Sequence, residues 1–365
     1  MRMKWQLLML LAALAGPFEL GAAWLGRQPA QRPDLAREAH LSNVRQLTDG
    51  GENAEAYFSF DGADLIFQST RDSSQCDQIY AMKVDGSGLR RVSNGEGRTT
   101  CSFFYPGKRR VLYASTHLGG NACPPKPDFS RGYVWPVYDS YDIFSADADG
   151  SDLKRLTTTP GYDAEATINR EGRIVFTSVR DGDMEIYSMD GDGSDVRRLT
   201  NRPGPDGGPF FSADGRRIVF RGRPLSPGPE LTDYMSLLRN GLWRPTSLEI
   251  FVMNADGSNV TRLTTAPGID VNPAWSPDGT KIAFNSDRSG NRHIHVMNSD
   301  GTGVTQLTFG TSLNIQPAWS PDGSKIAFVS LRTGASRLYM MNPDGTEQVP
   351  LTRSSHDAFS PAWRP

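Results

Sequence analysis

Pro273-Ala-Trp-Ser-Pro-Asp-Gly279, Lys281-Ile-Ala-Phe284, His293-Ile-His-Val-Met-Asn298, Asp300-Gly301 and Val304-Thr-Gln-Leu-Thr308 follow one another in a single stretch. Short apolar runs alternate with turn residues about every ten positions, the pattern of four antiparallel strands joined by tight turns. Trp275, Trp319 and Trp363 recur every 44 residues. A fixed period of this size marks a repeat architecture, and four strands per repeat predict a propeller blade.

Worked outward, the same unit covers most of the chain. The last strand of each repeat closes on Leu47, Val92, Leu156, Leu199, Leu263, Leu307 and Leu351, usually followed by Thr. Asp-Gly turns precede these ends from Asp85 to Asp344. Six second strands and six third strands can be read, which predicts an all-β, six-bladed propeller of four-stranded antiparallel blades. Val44–Thr48 is a last strand with no blade before it, and Pro361–Trp363 a first strand with no blade after it. A ring has to protect its edges, so the alternative is seven blades with a small closing blade.

The Pro-Ala-Trp-Ser-Pro-Asp-Gly, Ile-Ala-Phe, Met-Asn-x-Asp-Gly and Leu-Thr signature resembles the TolB-type exported β-propeller repeat. The likeness is close at 273–308 and 317–352, looser in the earlier blades, and extends from Val44 to Pro365. It implies a fold firmly and a function only weakly. TolB proper has a further globular domain ahead of its propeller. The roughly forty residues before the first strand are expected to be too few for one.

The first residues read differently. Basic Met1–Lys4, apolar Trp5–Phe18 and small Gly21–Ala23 form the three-part pattern of a secretory signal peptide at 1–23. An uncleaved signal anchor is the alternative. A proline-containing linker at 24–40 leads into the propeller at 41–365. The expected location is periplasmic or secreted, with no membrane span after signal removal.

Composition narrows the partners. The 365 residues are 37% hydrophobic, with 37 Gly and 25 Pro, suiting a turn-rich β protein. With 39 Lys plus Arg against 41 Asp plus Glu the net charge is −2, which lacks the basic field of a nucleic-acid binder. No Gly-x-Ser-x-Gly, His-Glu-x-x-His or phosphate loop is present. A monomer that binds an envelope or secreted protein, peptide or glycan is the expected function. A metal-dependent lyase or hydrolase at the channel mouth is the alternative.

Strand order puts the repetitive turns on one face and the variable loops on the other, where binding residues gather. Two insertions of about twenty residues fall on the variable face. Leu118–Ser140 holds Tyr133, Trp135 and Tyr138, which offer large contact area or else cover their own blade. Pro224–Ser247 carries Leu231, Tyr234, Met235, Leu238 and Leu242 at helical spacing, stopped by Gly241, which predicts a docked cap. The crossings into the first strands carry Asp163, Glu165, Asp206, Asp270, His356 and Asp357, with Glu52 and Glu55, near the central channel. Ser-x-Arg ends four second strands at Arg71, Arg180, Arg288 and Arg332, with His117 in the equivalent place of the second blade. Each Arg either braces adjacent blades through a carboxylate or joins a site for a cation, with Ca²⁺ suited to oxygen ligands. Three Cys in an exported chain leave one unpaired; Cys101–Cys123 is the expected disulfide. A zinc site of the Cys with His117 is the sharper alternative. His295 aligns with Tyr187 and Tyr339, as a packing residue.

Overall fold

The structure is a computed structural model that describes residues 41, 44–107, 109–129, 132–353 and 360–365. It contains six four-stranded antiparallel sheets, each with its strands in sequence order. These blades cover 53–91, 99–155, 163–198, 206–262, 270–306 and 314–350. The second strands run Asp64–Ser69, Arg110–Ser115, Ile174–Ser178, Arg217–Gly222, Lys281–Ser286 and Ile326–Ser330, as the alternation of the sequence requires.

Local chemistry sets the turns. In the stretch that opens the repeat, the Asp300 carboxylate accepts hydrogen bonds from the Thr302 backbone N–H at 2.9 Å and its hydroxyl at 2.6 Å. Gly301 supplies the φ of +86° that closes the turn. Asp85, Asp149, Asp192, Asp256 and Asp344 each hold a Ser or Thr two residues on in the same way.

The core lies between blades. Ile66, Ile79, Ala81 and Val92 of blade one pack with Phe104, Val111, Tyr113 and Phe144 of blade two. The same arrangement joins blades two to three, three to four, four to five and five to six. Val92, Leu156, Leu199, Leu263 and Leu307, which close the last strands, each reach into the next blade's cluster.

One feature of every first strand is absent from the sequence reading. A β-bulge breaks the register between first and second strands in all six blades. The bulged residues Glu55, Cys101, Glu165, Gly208, Asn272 and Gln316 all have φ between +50° and +60°. Side chains from one blade catch the bulge N–H of the next. Gly208 N donates to Glu165 Oε2 at 2.9 Å, and Gln316 N to Asn285 Oδ1 at 3.1 Å. Neighbouring blades are thus tied to each other by hydrogen bonds that compensate the bulge.

The terminal segments sit where further strands of a blade would. Ser360 has a φ of +49°, and its N–H donates to Gln316 Oε1 at 2.9 Å. Trp363 Nε1 donates to Ala318 O at 3.0 Å, repeating the 3.2 Å bond from Trp319 to Ala274. Leu47 packs on Leu65, Phe67, Tyr80 and Met82 of blade one. Among the described residues neither segment is assigned as strand.

Candidate functional site

The two insertions meet over the channel. Trp135–Pro136 from blade two pairs antiparallel with Leu242–Trp243 from blade four, Trp243 opposite Trp135. Their indoles are edge-to-face at 5.7 Å. Beneath the ribbon lies Arg221, its guanidinium 5.5 Å from the Trp135 ring and 6.0 Å from the Trp243 ring. The expected helix is Pro229–Arg239, with Asn240 as its C-cap and Gly241 at φ +68°. Its Tyr234 is buried with Val137, Met184, Leu225, Trp243 and Leu248, and Leu231, Met235 and Leu238 join them. Tyr234 donates to Asp183 Oδ1 at 2.6 Å, fixing the helix to blade three. The second insertion is a docked cap, as its apolar spacing predicts.

The first insertion keeps aromatic surface in solvent. Phe129, Tyr133 and Trp135 are 38%, 47% and 37% exposed. Phe129 and Tyr133 stack at 6.3 Å with 12° between planes, and Trp135 Nε1 donates to the Tyr133 hydroxyl at 2.5 Å. Tyr138 turns inward instead, its hydroxyl donating to Pro125 O and its ring against Tyr141. A groove of about 610 Å³ runs between the insertions, lined by Pro125, Lys126, Pro127, Tyr138, Leu238 and Asn240 among others.

The disulfide pairing differs from the expected Cys101–Cys123. Cys76, in the second-to-third loop of blade one, is bonded to Cys123 with Cα atoms 5.9 Å apart. Cys101 is free. The physical reason is the bulge: it gives Cys101 its positive φ on an innermost strand, among Glu55, Glu165 and Arg221 and away from the loops. Burial pushes its thiol well above the ordinary value.

The carboxylates separate into two groups. Asp163, Asp206 and Asp270 begin first strands and are fully buried or nearly so. Arg180 donates to both oxygens of Asp163 at 3.0 Å, Arg202 to Asp206 at 2.8 Å and Arg288 to Asp270 at 2.8 Å. The bonds of Arg180 and Arg288 each lie within one blade, so the Ser-x-Arg device locks first strand to second rather than adjacent blades to each other; Arg202 reaches Asp206 from the crossing, four residues before it. Arg180 also donates to Ser178 at 2.9 Å and lies 5.2 Å from the Phe176 ring and 4.8 Å from Tyr187. Arg332 pairs with Asn314, and Arg71 with Asn53. In blade two His117 fills the place, with Nδ1 2.8 Å from Ser115 Oγ and its ring against Phe144. His295 stacks on Phe284 in the third strand, a packing residue as its alignment predicts.

Among the described residues of the expected acidic set, Glu55 and Glu165 stand at bulges of innermost strands, and Glu165 is neutralised there. Burial pushes its carboxyl up, but Arg221, the Thr177 hydroxyl and the Gly208 N–H outweigh this and hold it below the ordinary range. Glu55, at the bulge of blade one, has no Arg or hydroxyl partner of this kind. Its Oε2 is buried with no hydrogen bond among the described residues. Burial pushes the carboxyl up; the Cys101 backbone N–H opposes this, and Asp77 and Glu165 add to it. His356 and Asp357 lie outside the described residues. Among those described, no three His, Cys, Asp or Glu side chains come close enough to hold a metal ion.

Glu55 carries a prediction. A carboxyl whose pKa rises on folding opposes folding above its unfolded value, so that cost grows as pH rises from about 4.5 through the folded pKa. Glu55→Gln is expected to be more stable than the parent at pH 8, by about 1–3 kcal/mol. The gap should shrink as pH falls towards 5, and urea unfolding at the two pH values measures it.

Sequence reading missed Arg221, Trp243 and the channel position of Cys101. It also missed a pocket of about 360 Å³ on the turn face, whose lining includes Tyr57, Phe103, Phe210 and Trp363. The signal was present: one position before the aligned Trp275, Trp319 and Trp363, blades one, two and four carry Tyr57, Phe103 and Phe210 where later repeats carry Ala.

With this geometry in hand, comparison places the chain. Residues 234–365 match the family model described as TolB beta propeller domain. Over that stretch, a little over a third of its length, the chain is similar to the TolB-type propeller repeat. The Tol-Pal system protein TolB of Bordetella pertussis is 49% identical over 47 residues, 13% of this chain and 11% of that protein, so the match spans about a tenth of the curated relative. A structure assigned to TolB from Agrobacterium tumefaciens shares 21% identity, covering 76% of this chain and 90% of its own, with a TM-score of 0.50. An oligogalacturonate lyase from Vibrio parahaemolyticus shares 15% identity over 85% and 81% of the two chains, with a TM-score of 0.57. At these identities the chain shares the fold of these two structures alone. No helix among the described residues is long and apolar enough to cross a membrane.

Proposed function

We propose that this TolB-like propeller is an exported, monomeric binding protein that takes a polypeptide segment across the insertion ribbon on its loop-rich face and performs no chemistry of its own. The observation that carries this reading is the meeting of the two insertions. They close over Arg221 and hold Phe129, Tyr133 and Trp135 in solvent beside a groove. Rigid exposed rings next to a pre-formed groove are the usual anchors of protein recognition. The Cys76–Cys123 bond suits an oxidising compartment and so supports export, as does the signal-like pattern at 1–23.

Peptide display against the purified chain, with a glycan array in parallel, tests it. Selected peptides should lose at least tenfold in affinity with Trp135→Ala. Selection of glycans alone would replace peptide by glycan as the ligand class. One observation favours an enzyme as the second reading: Glu55, a carboxyl with no partner for Oε2 and a raised pKa, could serve as a general acid in the channel. Substrate turnover that Glu55→Gln abolishes would establish that reading in place of the first.

A further inference from the structure

The blades flanking the terminal segments each leave uncovered a surface that every other blade buries. Ile79, Ile143, Ile186, Ile250 and Ile294 occupy one third-strand position, face the following blade and are fully buried. Leu338, their equivalent in blade six, is only partly buried, and so is Met340 two residues on. On the other side, Thr99, Asp163, Asp206, Asp270 and Asn314 begin first strands and are at most 1% exposed. Asn53, their equivalent in blade one, is exposed. Both faces look onto one position in the ring.

That position is half furnished. Ser360–Pro365 repeats the first strand: Ser360 has the bulge φ, and Trp363 donates to the preceding blade as Trp319 does. The segment 44–48 repeats the end of a last strand. Leu47 packs into the next blade's core, and Gln46 Nε2 donates to Thr48 O at 2.6 Å, as Gln306 donates to Thr308 O at 2.7 Å. Second and third strands are what the position lacks among the described residues. Pro361 is no obstacle to pairing. Pro273 and Pro317 stand at the same place in blades five and six, where Ala274, Trp275, Ala318 and Trp319 all pair with a second strand.

We propose that a β-hairpin from another polypeptide completes this position, laying one strand against Ala362–Arg364 and the next inside 44–48. The established blade-to-blade interface defines its chemistry: alternating aliphatic and aromatic residues, as in Ile326–Ser330 and Arg337–Met341. The partner's apolar face would cover Leu338 and Met340, and its backbone would satisfy the inner edge. Residues 24–40 of this chain, with two prolines and no alternation of period two, do not have that pattern.

The probe is a synthetic peptide of residues 323–342, this chain's own second-to-third-strand hairpin, with a scrambled peptide as control. Added to the full chain, it should bind one to one. It should slow amide exchange at Ala362, Trp363 and Arg364 and across 45–47 at least tenfold. Leu338→Asp, and independently Met340→Lys, should weaken binding at least tenfold; both side chains are already partly in solvent, so folding should persist. Trp135→Ala should leave this binding unchanged, which separates it from recognition at the insertion ribbon. Absence of binding, equal binding of the scrambled peptide, indifference to both variants, or amides already protected in the free chain would each overturn the proposal.

Discussion

Arg180→Ala is expected to lower the stability of the propeller by about 3–5 kcal/mol, the cost of stranding a buried charge. Asp163 has a side-chain exposure of 1% and sits opposite an Arg with 10%. Truncating the Arg removes both bonds to Asp163, the bond to Ser178 and the contacts with Phe176 and Tyr187 at once. Arg180→Lys should recover only part of the loss, because an ammonium cannot span Asp163 and Ser178 together. Asp163→Asn in the Arg180→Ala background should restore part of it by removing the stranded charge; Asn314 opposite Arg332 shows that an amide fits this position. Urea unfolding of the parent, Arg180→Ala, Asp163→Asn and the double variant, read as a double-mutant cycle, supplies the coupling. Equal stability of Arg180→Ala and the parent would mean that the device is ornamental. Surface pairs such as Arg244–Asp233, with both groups well exposed, are expected to contribute at most about 1 kcal/mol.

The blades were legible because their determinants are local. Alternation along Ile282–Phe284 and the Asp300-Gly301 turn are properties of a few consecutive residues, and 44-residue spacing repeats them until the reading is redundant. The helix of the second insertion was legible for the same reason. What failed depended on direction within the ring. Asp163 and Glu165 are two residues apart in one strand, and alternation alone places them on one face. The bulge at Glu165 breaks that alternation, sending Asp163 to its own blade's Arg and Glu165 to Arg221 of the next blade. Neighbouring repeats vary at the bulge between Glu, Cys, Gly, Asn and Gln, so no recurrent residue signals it. The Cys pairing failed for the same cause, since Cys101 occupies a bulge. The pairing of Trp135 with Trp243 joins residues over a hundred positions apart, and nothing in either insertion announces the other.

Removing the disulfide is expected to have a comparable effect and to reach the candidate site. Cys76 and Cys123 are separated by 47 positions, and releasing a loop of that size frees about 4 kcal/mol of unfolded-chain entropy. Cys76→Ser with Cys123→Ser should therefore lower unfolding stability by about that amount, read from urea midpoints at constant m-value. The bond also has a local consequence. Cys123 anchors the start of the insertion to blade one, while Trp135–Pro136 anchors its end to Leu242–Trp243 of blade four. With the first anchor gone, the stretch bearing Phe129 and Tyr133 is held at one end only. Its ordering would then oppose binding, so affinity for peptides selected at the ribbon should fall at least tenfold. Hairpin binding at 360–365 lies on another part of the ring and should not change. Thiol counting on the unaltered chain checks the premise: slow reaction of half-buried Cys101 alone while folded, one thiol after unfolding, three after reduction. A thiol label mapped to Cys76 or Cys123 in the unreduced chain would place the bond elsewhere, or show it absent, and remove the anchor on which this expectation rests.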